Sequence, residues 1–175
     1  MSNKIVLSKQ FNNIVTEISN QILKEIQDDK ECYFIGIRTR GVYFAQRIIS
    51  KLSLIKSEIK SHLGILDINL YRDDLNTKTG HPEIHETGID FDITDKKIFL
   101  VDDVLYTGRT IRCALNELSD FGRPCFIRLI VFVDRGGREL PIQPDYTGIK
   151  IKSKLEDMIK VHFKEIDMQD EIIII

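Results

Sequence analysis

Cysteine is scarce in this chain, at three residues in 175: Cys32, Cys113 and Cys125. An odd count without metal-ligand spacing argues against a disulfide framework or a zinc cluster. Each lies in an apolar context, so buried, reduced thiols and a cytoplasmic location are expected. Long apolar runs are missing as well. No uninterrupted stretch approaches the roughly 20 residues needed to cross a bilayer, so no membrane association is expected. Residues 1–10 lack the apolar core and small-residue cleavage site of a signal peptide. Nor is one charge in excess: 25 Lys and Arg stand against 27 Asp and Glu, a formal net charge of −2. No global field draws the protein to nucleic acid, and any anion site has to be built locally. The histidines, His62, His81, His85 and His162, have no metal-ligand spacing either.

What is present suits one globular domain, 1–175, long enough to bury a core. Phe11, Ile14, Val15, Ile18 and Ile22 mark one apolar helix face, with Ser8 a candidate cap. The short apolar run 32–37 predicts a buried strand entering a loop at Arg38-Thr39-Arg40-Gly41. Val42, Ala45, Ile48, Ile49 and Leu52 then mark a second helix, and 62–70 another strand. The polar segment 71–95 is long for a connection in a compact domain, and such loops are functional lids or disordered. Residues 98–101 form a continuous apolar run, the pattern of a central parallel strand. A helix follows on Ile111, Ala114, Leu115 and Leu118, closed by Gly122 and Pro124, and 126–133 is again strand-like. This alternation implies an α/β fold with a doubly wound, mostly parallel sheet flanked by helices. Beyond Asp134 the segments around 149–151 and 159–166 predict short antiparallel strands, and 172–175 a final strand. Lys150, Lys152 and Lys154 read as the solvated face of an edge strand.

The chemistry concentrates in 101–110. A buried strand ends in two carboxylates, Asp102 and Asp103, and the turn Thr107-Gly108-Arg109-Thr110 opens a helix. In an open α/β sheet ligands bind at the carboxyl ends of the strands. The turn offers backbone N–H groups and a positive helix end to a phosphate, with two threonine hydroxyls as further donors. Two carboxylates beside a phosphate cradle conflict unless the ligand carries hydroxyl donors one ring away from its phosphate. A ribose 5-phosphate does so: Asp102 and Asp103 accept from its 2- and 3-hydroxyls or face Mg²⁺ bound to them.

With the apolar residues before it, this segment resembles the 5-phosphoribosyl-1-diphosphate (PRPP) signature of the type I phosphoribosyltransferases. Gly36-Ile37-Arg38-Thr39-Arg40-Gly41-Val42-Tyr43 resembles that family's diphosphate-binding loop. Asp67-Ile68-Asn69-Leu70-Tyr71-Arg72-Asp73-Asp74-Leu75 resembles the start of its mobile catalytic loop. Val133-Asp134-Arg135-Gly136 and Arg138-Glu139-Leu140-Pro141-Ile142, followed by Asp145-Tyr146, resemble its PyrR branch, pyrimidine operon regulators that also have uracil phosphoribosyltransferase activity. The resemblance covers nearly the whole chain.

It implies the type I phosphoribosyltransferase fold with a small hood subdomain, mainly 134–175, and a mobile loop at about 71–95. It implies transfer from PRPP to uracil, giving UMP and diphosphate, with Mg²⁺ as cofactor and a homodimer as assembly. Catalytic roles fall to Arg72, Asp102 and Asp103, with Arg72 stabilising the departing charge. PRPP would be held by Thr39, Arg40 and Gly41 at its diphosphate and by Asp102, Asp103, Leu105, Tyr106, Thr107, Gly108, Arg109 and Thr110 at its ribose and phosphate. Mg²⁺ would meet Asp102 and Asp103 indirectly, through PRPP. Main-chain groups at Val133, Asp134 and Arg135 would read the base.

Some residues keep a second reading. Arg72 beside Asp73 and Asp74 also fits a surface ion pair, and Asp167 fits either a site-facing residue or a solvated turn. Tyr106 stands where purine members carry an aspartate, and tyrosine is no anionic proton acceptor near neutral pH, which favours a pyrimidine. It fits equally a residue packed beneath the ribose. The function keeps alternatives too: a UMP-dependent mRNA-binding regulator of pyrimidine genes, or a phosphoribosyltransferase for another base. For RNA, Arg138 is the retained basic residue, whereas Gln143 and Ile149 stand where basic residues are expected and Asn20 where a histidine is. Tight RNA binding needs clustered Lys and Arg, so that activity is expected to be reduced or absent.

Overall fold

The computed structural model describes residues 3–26, 29–68 and 87–175. Five strands form the main sheet: β2 (Glu31–Ile37), β3 (Lys60–Leu66), β4 (Lys97–Leu105), β5 (Phe126–Asp134) and β6 (Tyr146–Lys150). Their order is β3-β2-β4-β5-β6, and every pairing is parallel. Consecutive residues on a strand face opposite sides, and both sides are covered. Phe34, Phe99 and Phe132 pack toward α1 (Ser8–Glu25) and α2 (Arg40–Ile55), while Ile35, Leu100 and Val131 pack toward α3 (Arg109–Leu118). All six are buried, and each such side chain contributes about 1.5–3 kcal/mol over leaving it in water. This two-sided burial is why the strands read as continuous apolar runs.

A second sheet stands apart in the topology. β1 (Asn3–Leu7), β7 (Ile159–His162) and β8 (Glu171–Ile174) pair antiparallel in the order β1-β8-β7, and α4 (Lys164–Asp167) links the last two. This is the hood. Its Phe163 lies 5.8 Å from Phe11 of α1, 5.5 Å from Phe132 of β5 and 6.1 Å from Phe44 of α2, ring centroid to centroid. Deleting such a buried ring costs about 3–5 kcal/mol, so the hood shares the core of the main sheet.

Several expectations are corrected. Residues 149–151 do not start an antiparallel hood strand, because β6 continues the main sheet as its parallel edge and the hood begins beyond it. The exposed Lys150 sits on that edge, as its pattern suggests. β3 begins earlier than the expected 62–70 and ends at Leu66, with 69–70 outside the described residues. Of the connection expected over 71–95, the part 87–95 is packed: Gly88 bridges Ile65, and Ile93 is fully buried beside α3's apolar face. Residues 71–86, including Arg72, His81 and His85, lie outside the described residues. Cys32 and Cys113 are buried as expected, but Cys125 is exposed in the turn ahead of β5. Burial pushes the Cys32 thiol up to about 12, which keeps it protonated. No described helix is long and apolar enough to cross a membrane.

Candidate active site

The strand ends of β2 and β4 lie side by side, and two glycines set their spacing. A Cβ on Gly36 would sit 2.6 Å from the Val42 Cα, and one on Gly41 would meet the Val101 carbonyl oxygen and stand 3.2 Å from the Asp102 Cα. Only glycine lets the start of α2 approach the acid pair this closely. The loop between β2 and α2 carries a cis peptide at Arg38–Thr39, and the Arg38 N–H donates to the Leu66 carbonyl at 2.8 Å. Thr39 caps α2 without a side-chain hydrogen bond.

Opposite this loop, Asp102 is buried and its Oδ1 accepts from the Asp103 N–H at 2.9 Å, while Asp103 Oδ1 accepts from the Val104 N–H at 2.9 Å. Burial pushes the Asp103 carboxyl above its ordinary range, against the pull of the Asp102 hydrogen bond, the Arg40 charge and backbone N–H groups. The strand runs on to Leu105, and the chain turns through Tyr106, Thr107 and Gly108 into α3. Gly108 takes φ +94° as the N-cap and offers no side-chain cap of its own. Thr107 Oγ1 accepts from the Arg109 N–H at 3.3 Å. Arg109 itself forms an exposed pair with Glu139, Nε to Oε2 at 2.6 Å.

A cleft of about 460 Å³ opens between these parts, lined by Arg38, Thr39, Arg40, Asp102, Asp103 and Thr110 together with residues of β7. The acid pair and residues 38–40 of the expected diphosphate loop thus share one space, and of the expected phosphate turn Thr110 reaches it while Leu105, Tyr106, Thr107, Gly108 and Arg109 do not line it. The first turn of a helix and an acid pair at one cleft are complementary to a phosphorylated polyol. Among the described residues no group of three His, Cys, Asp or Glu side chains assembles to hold a metal. Two carboxylates alone suit an octahedral Mg²⁺ that takes its other oxygens from the ligand and water, so the residues fit an ion carried in on the substrate.

The expected base-reading residues lie behind the turn. Val133 is fully buried, the Asp134 carbonyl accepts from the Ile151 N–H at 2.9 Å, and the Arg135 N–H donates to the Leu105 carbonyl at 3.1 Å. The Arg135 guanidinium lies over the Tyr106 ring, 3.8 Å from its centroid, and donates to the Lys154 carbonyl at 2.9 Å. Arg138 turns inward rather than to solvent. Its guanidinium donates to the carbonyls of Tyr106 and Ile142, each at 2.9 Å, and to Asp134 Oδ1 at 2.7 Å. The residue singled out for RNA therefore braces the phosphate turn from beneath.

Three acidic residues escaped the sequence reading in whole or part. Asp167 reaches from the hood to the cleft-lining Arg40 and grips it, Nε to Oδ2 at 3.1 Å and Nη2 to Oδ1 at 2.6 Å. Burial works to raise the Asp167 carboxyl, but the Arg40 hydrogen bonds and the Phe163 N–H outweigh it and hold it below the ordinary range. Arg47 donates to Glu165 Oε1 and to Asp170 Oδ2, each at 3.0 Å, and lies 5.0 Å from the Phe163 ring centroid. Arg40 and Arg47 sit two turns apart on one side of a largely apolar helix. That spacing was the available signal for a pair of clamps.

Comparison with known proteins agrees with this geometry. The phosphoribosyl transferase domain model matches residues 2–166. The chain is 45% identical over 176 residues to the bifunctional protein PyrR of Latilactobacillus sakei, covering 99% of the chain and 98% of that protein. It is 46% identical over 164 residues to the bifunctional protein PyrR of Elusimicrobium minutum, covering 94% and 91%. Among solved structures, the hypoxanthine phosphoribosyltransferase of Trypanosoma cruzi superimposes with a TM-score of 0.73 at 14% identity, over 98% of this chain and 95% of that one. A Staphylococcus aureus hypoxanthine phosphoribosyltransferase gives a TM-score of 0.72 at 19% identity, over 97% and 90%. At those identities the two structures speak for the fold. The fold and site define a phosphoribosyltransferase, and the chain belongs to that family, in its PyrR branch.

Proposed function

We propose that the protein is a uracil phosphoribosyltransferase, converting uracil and PRPP to UMP and diphosphate with Mg²⁺ carried by PRPP. The observation behind this reading is the buried Asp102 and half-buried Asp103 in one cleft with Thr110 of the first turn of α3 and the 38–40 loop.

The bond between the anomeric carbon and diphosphate breaks as a ring nitrogen of the pyrimidine attacks. The bonding electrons leave with diphosphate, positive charge develops on the ribose, and the ring nitrogen gives up its proton to solvent as the new C–N bond forms. Asp102 and Asp103 accept hydrogen bonds from the ribose hydroxyls, fixing the anomeric carbon and opposing that charge. The turn from Leu105 through Tyr106, Thr107, Gly108 and Arg109 to Thr110 receives the 5-phosphate on its N–H groups. Backbone N–H groups at Thr39, Arg40 and Gly41 receive the diphosphate, and Arg72 approaches it from the closing loop. Asp102 and Asp103 would hold Mg²⁺ indirectly, through PRPP, and the ion would supply positive charge to offset that of the leaving diphosphate. Val133, Asp134 and Arg135, beside Tyr106, form the base side of the site. A cytoplasmic homodimer completes this reading.

Incubation of the protein with PRPP, Mg²⁺ and each base in turn tests it. UMP from uracil, without nucleotide from hypoxanthine, guanine or orotate, is the expected result. Nucleotide from a purine would overturn the base assignment, and none from any base would overturn the enzyme. The similarity to bifunctional PyrR proteins supports a second activity, UMP-dependent binding of a pyrimidine-operon leader. Filter binding across a range of salt, with and without UMP, decides that activity, since a protein on phosphates loses affinity steeply as salt rises.

A further inference from the structure

β7 presents a second polar wall to the cleft. Ile159 and Val161 are buried in the core, whereas Lys160 is exposed and His162 half-buried, and the strand lines the cleft across from the 37–40 loop and the acid pair. Strand alternation therefore turns Lys160 and His162 to the side away from the core.

The His162 ring is held in place. Its Nδ1 lies 3.1 Å from Oε1 of the buried Glu171, the residue paired with it on β8, and Gln169 Nε2 donates to the same oxygen at 2.6 Å. With Nδ1–H directed at that carboxylate, the imidazolium form of the ring presents Nε2–H as a donor to an anion.

Charge accounting decides which ligand group this wall suits. Arg40 is bidentate to Asp167, and Arg38 Nε lies 3.9 Å from Asp67 Oδ2. Both arginines of the diphosphate loop thus lie against carboxylates, and Asp102 and Asp103 add negative charge to the floor. Among the described residues lining the cleft, Lys160 is the cation with no carboxylate within ion-pair distance.

We propose that Lys160 and His162 form an anion clamp on the hood that grips the diphosphate of PRPP from the side opposite Thr39 and Arg40. The proposal rests on the reading of the cleft as the PRPP site. The diphosphate carries most of the ligand's negative charge and meets the loop chiefly through backbone N–H groups. Lys160 brings the uncompensated positive charge, and the oriented imidazole adds a directional contact.

Calorimetric titration with Mg²⁺-diphosphate, Mg²⁺-PRPP and UMP separates the outcomes, because UMP lacks the diphosphate. Lys160→Met is expected to weaken Mg²⁺-diphosphate and Mg²⁺-PRPP about 10-fold while leaving UMP unchanged, and Lys160→Arg to recover most of the loss. His162→Ala should weaken the same two ligands by roughly threefold or more. Unchanged diphosphate affinity in both variants, or an equal loss for UMP, overturns the clamp. A wild-type protein that binds neither PRPP nor diphosphate refutes the cleft assignment itself, which is a different result.

Discussion

Arg40, the first residue of α2, is joined by two hydrogen bonds to Asp167 in the hood. The loop expected to receive diphosphate is therefore fastened to the subdomain that roofs the site.

That pair sets an acid sensitivity. Asp167 is held below its ordinary range, so its contribution is fully present above that range and fades as pH falls through the lowered value. Asp167→Asn is expected to cost about 1 kcal/mol near neutral pH, a charge-assisted bond discounted for partial exposure. The difference from wild type should hold at neutral pH and shrink progressively as pH is lowered below the ordinary aspartate range. Urea melts at neutral and acid pH check it.

Asp103 works with the opposite sign. Burial raises its carboxyl, so its charge opposes folding at any pH above the ordinary carboxylate range, and stability falls as pH rises toward the raised value. Asp103→Asn is expected to melt higher than wild type at neutral pH and to lose PRPP binding. A thermal melt paired with a PRPP titration gives both readings. A variant that melts lower would contradict the burial argument.

Arg138→Ala separates bracing from an RNA role. It strips a guanidinium from the largely buried Asp134 and from the carbonyls of Tyr106 and Ile142. The expected loss is about 3 kcal/mol of stability, with uracil turnover falling alongside. Wild-type stability with loss of leader RNA alone would assign the side chain to the RNA surface.

Arg72→Ala is expected to lower kcat by ~10²–10³ with the melting temperature unchanged, the size typical of removing one stabiliser of developing charge. Steady-state kinetics beside a melting curve decides it, and an unchanged kcat refutes the role.

The sequence disclosed the parts whose physics is local. Continuous runs at 98–101 and 126–133 announced buried parallel strands, and the acid pair Asp102 and Asp103 marked the strand end that the structure sets in a cleft. What stayed hidden depends on partners distant in the chain. β1 has five residues and no pattern of its own, and it becomes a strand through β8. Residues 149–151 alternate like an antiparallel strand, yet β5 captures the segment as a parallel edge because the main sheet has an open side there. Glu165, Asp167 and Asp170 look like solvated charges until the hood brings them onto Arg40 and Arg47. Lys160 and His162 were invisible for the same reason: nothing in four residues tells which face of β7 meets a ligand.

The antiparallel partnership of β1 with β8 also orders the protein's assembly. Almost the whole polypeptide separates these two strands, so the loop they close is among the most entropically demanding in the molecule. During synthesis β1 must wait without its neighbour until β8 clears the ribosome, while the parallel sheet between them already has all its strands. The second sheet thus closes only after the parallel sheet is complete, and a chain cut ahead of β8 keeps all five parallel strands but leaves β1 and β7 without the strand that joins them.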